Sequence, residues 1–170
     1  MMVRAAELSD AAGIGLVHVR SWQAAYRDLV PQSFLDGLDA EQRGAGWARY
    51  LGASPHEREA VLVAELDGQV VGFASVGPSR DGDADGVGEV RAIYLLADRW
   101  GQGMGRELMR AALDALRALG FTQASLWVLG SNQRARRFYE AGGWCPDGAS
   151  KSDDSRGFLL TEVRYTRAIS

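Results

Sequence analysis

The stretch "VGEVRAIYLLADRWGQGMGRELMRAAL", residues 87–113, changes character twice. Up to Leu95 it reads as a strand, with Glu89, Arg91, Ile93 and Leu95 on one face and Val90, Ala92 and Tyr94 on the other. From Arg106 to Leu119 it reads as a helix: Leu108, Ala112, Ala115 and Leu119 form an apolar stripe, Leu113 and Leu116 flank it, and Gly120 stops it. Between the two, Gly101, Gly103 and Gly105 fall at every second position. A strand, a tight glycine turn and a helix make a cradle for phosphate. The first helical N–H groups lack internal acceptors, the helix dipole adds partial positive charge, and glycine lets backbone amides approach an anion. A helix start packed tightly against a sheet also uses such glycines, so the loop alone leaves both readings open.

Two familiar phosphate loops do not fit. The dinucleotide fingerprint needs a third glycine where Arg106 stands, and no acidic residue ends a following strand. The P-loop needs Gly-Lys-Ser/Thr, which is absent.

Outward from this stretch, the chain reads as alternating strands and helices. Val3–Ala5 predicts a first strand, and Ser9 the N-cap of a helix running from Asp10 to about Tyr26. A short helix is expected over Ser33–Leu38 after Pro31, then a helix capped by Asp39, then a loop at 53–59. "VLVAEL" and "QVVGFASV" flank Asp67-Gly68, the signature of a tight hairpin whose turn needs positive φ. Residues 77–86 form a polar loop, 124–129 a strand, Asn132–Ala141 a helix ended by Gly142-Gly143, and 158–167 a closing strand. No repeat or linker divides residues 1–170, which reads as one domain.

Composition narrows the function. The 170 residues are 46% hydrophobic and 24% charged, the values of an ordinary soluble domain able to bury a core. A net charge of −3 gives no basic footprint for nucleic acid. No apolar run approaches a membrane span, and the N-terminus resembles no targeting segment. The single cysteine, Cys145, excludes an internal disulfide and fits a reducing, cytoplasmic setting. One Cys and two His, His18 and His56, argue against a zinc site, and no metal is expected.

"GEVRAIYLLADRWGQGMGRELM" resembles the acetyl-CoA-binding motif of the GCN5-related N-acetyltransferase (GNAT) superfamily: a strand, Gln/Arg-x-x-Gly-x-Gly/Ala, and a helix. "NQRARRFYEAGGW", residues 132–144, is similar to the next motif of that superfamily. The pair, in order and at typical separation, covers roughly a third of the chain. Trp100 departs from the pattern, standing where Gln or Arg usually opens the motif. The resemblance implies an α/β fold: a mixed, mostly antiparallel sheet of six or seven strands flanked by helices. It also implies that strands 87–95 and 124–129 splay to admit the coenzyme. It implies direct acetyl transfer from acetyl-CoA to a primary amine of a small molecule or peptide. A longer acyl-CoA, or a non-catalytic CoA-binding regulator, is the alternative, and homodimer formation is left open.

The same resemblance assigns roles. Glu89 matches the general base, acting directly or through water, and Tyr139 the acid that protonates the departing thiolate. Coenzyme contacts fall on Tyr94, Leu95, Trp100, Gly101, Gln102, Gly103, Met104, Gly105, Arg106 and Asn132, with a backbone N–H near Leu95 facing the oxyanion. Trp22 and Tyr26 are one pocket wall and one core residue, in undecided order. "DGDADG", residues 81–86, begins like a calcium loop, but the twelfth position is Ala92 rather than Glu. A solvated turn is the preferred reading. No G-x-S-x-G elbow supports hydrolase chemistry, and Cys145 has no histidine near it in sequence.

Overall fold

The computed structural model describes residues 1–53 and 57–170, so the middle of the loop read at 53–59, including His56, lies outside the described residues. Strand β1 (Met2–Ala5) leads into helix α1 (Ala11–Ala25), followed by α2 (Gln32–Asp36) and α3 (Ala40–Gly52). The hairpin β2 (Ala60–Leu66) and β3 (Gln69–Pro78) precedes β4 (Gly88–Leu95) and α4 (Met104–Ala118). Then come β5 (Gln123–Leu129), α5 (Gln133–Ala141), β6 (Cys145–Asp153) and β7 (Leu160–Ala168). The seven strands form one sheet in the order β1-β2-β3-β4-β5-β7-β6. Every neighbouring pair is antiparallel except β4–β5.

Helices cover both faces, as a sheet with apolar residues on both sides requires. Leu108, Ala112 and Leu116 of α4 pack with Tyr139 of α5 against Ala74, Val76, Val90, Leu126 and Val128. On the other face Ile14 and Val17 of α1 meet Val61, Val63 and Phe73, with Trp47 and Leu51 of α3 beside them. A third cluster joins Val30 and Leu35 to Leu129 and Leu160 beyond the C-terminal end of α1.

The Asp67-Gly68 turn has φ of 52° and 77°, as a two-residue hairpin turn of this type needs. Asp39 caps α3 by accepting from the Glu41 and Gln42 amides. Three expectations are corrected. Ser9 does not cap α1: Leu8–Asp10 is a 3-10 turn in which Glu7 and Asp10 form a capping box, and Asp10 stands at the N-cap of α1. Strand β6 was not expected; its segment CPDGASKSD is exposed almost throughout and has no apolar alternation to betray it. The face assignment of β4 also fails at one point. Ser75 pairs with Ala92 but Val76 pairs with Val90, so Arg91 is an extra residue in a bulge. Val90 therefore packs in the same cluster as Ile93 and Leu95. Glu89 moves to the opposite face, with Ala92 and Tyr94, which belong to the α1–α3 cluster.

Candidate active site

β4 and β5 pair at only two positions, Gly88 with Ala124 and Glu89 with Ser125. Beyond them the strands diverge, and the backbone edges that would have bonded each other face a cleft of about 450 Å³. Its walls include Val90–Leu95 of β4, Leu126–Val128 of β5, Ala24–Tyr26 of α1, the glycine loop, and Asn132, Arg134 and Tyr139.

The glycine loop is built as a cradle. Gly101 and Gly103 have φ of 74° and 84°, a conformation that strains any residue with a Cβ. A Cβ added at either would project into open space. Gly103 is the N-cap of α4, its carbonyl bonded by the Arg106 and Glu107 amides, which leaves the Met104 and Gly105 N–H groups without intrahelical acceptors. Gly105, inside the helix, faces Phe138 instead: a Cβ added there would stand 3.4 Å from that ring. The helix starts two residues earlier than the apolar stripe suggests, because the cap is the glycine itself. Gln102 folds its side chain back onto the Asp98 carbonyl and Met104 packs into the core, so neither side chain lines the cleft.

Trp100 acts as a strut. Its Nε1 donates to the Leu95 carbonyl at 2.8 Å, tying the loop to the end of β4, and the Ser21 hydroxyl donates to the same oxygen. The guanidinium of Arg134, in the first turn of α5, stacks 3.4 Å from the centre of the Trp100 ring. Arg134 makes no ion pair among the described residues, and burial in the wall of the cleft lowers its pKa. Sequence reasoning passed over this residue. The signal was the absence of a cation at position 100 together with the basic run of Arg134, Arg136 and Arg137 in the following motif.

Asn132 caps α5, its Oδ1 accepting from the Ala135 amide at 3.2 Å, while its side chain lines the cleft. Tyr139 is buried in the wall with no protein partner for its hydroxyl among the described residues. Burial pushes the Tyr139 phenol well above its ordinary pKa, with Tyr94 adding to the effect, so the group is a neutral proton donor at physiological pH. Tyr26 and Tyr94 line the same cleft and are raised for the same first reason. Tyr26 is thus the wall, whereas Trp22 packs edge-on against it at 4.8 Å and stays out of the lining.

Glu89 sits at the fork of the two strands, 2% exposed. Both its oxygens are engaged by Arg80: Nη2 at 2.9 Å on Oε1, and Nε and the backbone N–H at 3.1 Å on Oε2. The cleft lining begins at the next residue, Val90. The acidic loop is an ion network, not a cation site: Arg164 binds Asp81 at 3.2 Å, Asp83 at 2.7 Å and Asp147 at 2.6 Å. Trp127 Nε1 also donates to Asp81. No cluster of three metal-ligating side chains occurs among the described residues. No helix there is long and apolar enough to cross a membrane.

Residues 20–144 match the acetyltransferase (GNAT) family. Over 163 residues the chain is 36% identical to the uncharacterized N-acetyltransferase YuaI of Bacillus subtilis (strain 168), covering 95% of this chain and 89% of that protein. The PaiA N-acetyltransferase of Thermoplasma acidophilum in complex with coenzyme A superposes with a TM-score of 0.76 at 16% identity, covering 98% of both chains. yncA from Salmonella typhimurium, with its cofactor acetyl-CoA, gives 0.72 at 24% identity, covering 100% of this chain and 94% of that one. At these identities the two structures speak to the fold.

Proposed function

The chain belongs to the GNAT family of acetyltransferases, and from that premise we propose that it transfers the acetyl group of acetyl-CoA directly to a primary amine of a small molecule or peptide. The observation that carries this reading is the parting of β4 and β5 after Glu89 and Ser125, with the glycine cradle, Asn132 and Tyr139 all opening onto the gap. The residues present suit the coenzyme. The cradle has free amides and open space where a Cβ would stand, and Arg134 is a cation without a counter-anion among the described residues. Charge-assisted bonds to a diphosphate would satisfy both.

In this reading the Gly101–Gly105 amides, Arg106 and Arg134 hold the diphosphate, with Trp100 bracing Arg134 against the end of β4. The Asn132 side-chain amide and the unpaired edge of β4 direct the pantetheine arm inward. A β4 amide near Leu95 meets the oxygen that becomes negative as the amine adds to the thioester carbonyl. Tyr139 then gives its proton to the departing thiolate. Glu89 takes the amine proton through water, because Arg80 occupies its oxygens and the cleft wall starts one residue later. An amine whose conjugate acid has a pKa of about 10 needs such a base near neutral pH.

Release of free thiol from acetyl-CoA in the presence of amino acids, diamines, aminoglycosides and peptide N-termini tests the reading. Turnover with at least one class is expected. Tight CoA binding without release for any amine or acyl chain length would replace it with a binding protein.

A further inference from the structure

Leu160, Glu162 and Arg164 alternate onto one face of β7. Register places Leu129 of β5 opposite Glu162, and Trp127 opposite Arg164, on that same face. Leu160 and Leu129 are covered by Val30 and Leu35, and Arg164 is taken up by the acidic loop. Glu162 lies between them, half-buried, and its carboxylate makes no hydrogen bond or ion pair among the described residues. Two neighbouring cations are engaged elsewhere. Lys151, its cross-strand neighbour on β6, places its ammonium 4.2 Å over the Trp127 ring. Arg80, which lies within reach of the Glu162 charge, has its guanidinium bound to Glu89. The Glu162 charge reaches the phenols of Tyr26 and Tyr94, which line the cleft, and helps to hold both neutral. Glu162 thus stands on the α1 face of the sheet, on the side of the cleft opposite the glycine cradle and α4.

A half-buried carboxylate with no ion-pair partner in contact is a ready site for a cation arriving with a ligand. Resting on the acetyl-transfer reading above, we propose that Glu162 anchors the acceptor, and that the preferred acceptors are amines carrying a second positive group. The anchored cation sits at Glu162, on the Tyr26 side of the cleft. The second amine, as free base, then reaches the fork between β4 and β5. Glu89 cannot serve as this anchor, since Arg80 already neutralises it.

The experiment compares kcat/KM, with saturating acetyl-CoA, for α,ω-diamines of three to six carbons, for n-alkylamines of matching length, and for 4-aminobutyrate. A diamine is expected to exceed its alkylamine by roughly ten-fold or more, the scale of one partly screened ion pair, with 4-aminobutyrate poorest. Glu162→Gln should collapse the diamine-to-alkylamine ratio towards one, and Glu162→Asp should keep the preference but move it to a longer diamine. Coenzyme affinity by calorimetry serves as the folding control for both variants. A ratio unchanged in Glu162→Gln, or no preference for diamines in the wild type, overturns the proposal. If the wild type fails to bind CoA, the acetyl-transfer reading falls with it. If it binds CoA and acetylates other amines without regard to charge, this inference alone falls.

Discussion

Tyr139 has its ring packed in the core and its hydroxyl free of protein partners among the described residues, which separates packing from its proposed role as acid. Tyr139→Phe should leave thermal stability nearly unchanged and lower kcat by about 10²-fold, the usual cost of losing one general acid, with little change in KM for acetyl-CoA. An unaffected kcat would make Tyr139 a packing residue. Glu89→Gln should lower kcat/KM at neutral pH by roughly 10²-fold, and raising the pH should partly restore it as free amine becomes abundant. Loss at every pH with normal CoA binding would instead identify the Glu89–Arg80 pair as a brace for the acceptor side. His18 shows a different use of burial. It packs against Trp22, Trp47, Phe73 and Tyr94, accepts at Nδ1 from Trp47 Nε1 at 3.3 Å, and burial lowers its pKa to about 4. Between that value and the unfolded value near 6.5 the unfolded chain binds the extra proton, so folding stability falls as pH drops through this window. Unfolding free energies from urea titrations at pH 7.5 and pH 4.5 should differ more for the wild type than for His18→Asn, by up to about 3 kcal/mol. Equal pH dependence in both proteins would show that His18 titrates freely.

At the scale of elements, the glycine cradle depends on backbone conformation and its cation on a neighbouring helix. Gly103→Ala forces a Cβ into a positive-φ position and aims it into the open cradle. The strain is about 1 kcal/mol, small against folding, but CoA affinity should fall by roughly ten-fold or more through lost amide contacts. Arg134→Met keeps part of the stacking area on Trp100 and removes the charge, so it should weaken CoA binding and also flatten its salt dependence. Calorimetry at two salt concentrations measures both effects. Unchanged affinity in the two folded variants would place the coenzyme elsewhere. The two elements are joined by Trp100, whose indole reaches the Leu95 carbonyl while its ring carries Arg134. A residue that looks like a departure from the motif in one dimension is the joint between loop, strand and helix in three.

At the scale of the molecule, Arg164 ties together the loop and strand that flank the proposed acceptor side. Its side chain, 12% exposed, holds Asp81 and Asp83 of the loop 79–87 and Asp147 of β6. The same loop carries Arg80 to Glu89 at the fork. Arg164→Met would leave three neighbouring carboxylates without their cation. Stability should drop by about 1–3 kcal/mol, less than a fully buried pair because Asp83 is exposed. KM for the amine should rise while CoA affinity holds, because the loop precedes β4 whereas the cradle follows its other end. A melting-temperature loss accompanied by an equal loss of CoA affinity would show that the network supports the whole fold rather than the acceptor side.

What the sequence determined by itself is what depends on neighbours along the chain. Positive φ at Asp67-Gly68, the cap at Asp39, the α4 stripe and the glycine turn all rest on interactions a few residues apart, and each formed where it was read. The paired motifs likewise announced the family, because their spacing is a property of one strand, one loop and one helix. Tertiary structure decided whatever depends on a partner distant in sequence. The bulge at Arg91 arises from the register of β4 against β3, and it moved Glu89 to the face where Arg80 waits. Strand β6 exists because β7 offers its edge; CPDGASKSD alone has no pattern that buries one face. Tyr26 rather than Trp22 became the wall because α1 ends beside the parted strands, and Arg134 found Trp100 because α5 returns to the glycine loop. A side chain's intrinsic chemistry is written at its own position, but its partners and solvent exposure follow from packing between segments far apart in the chain.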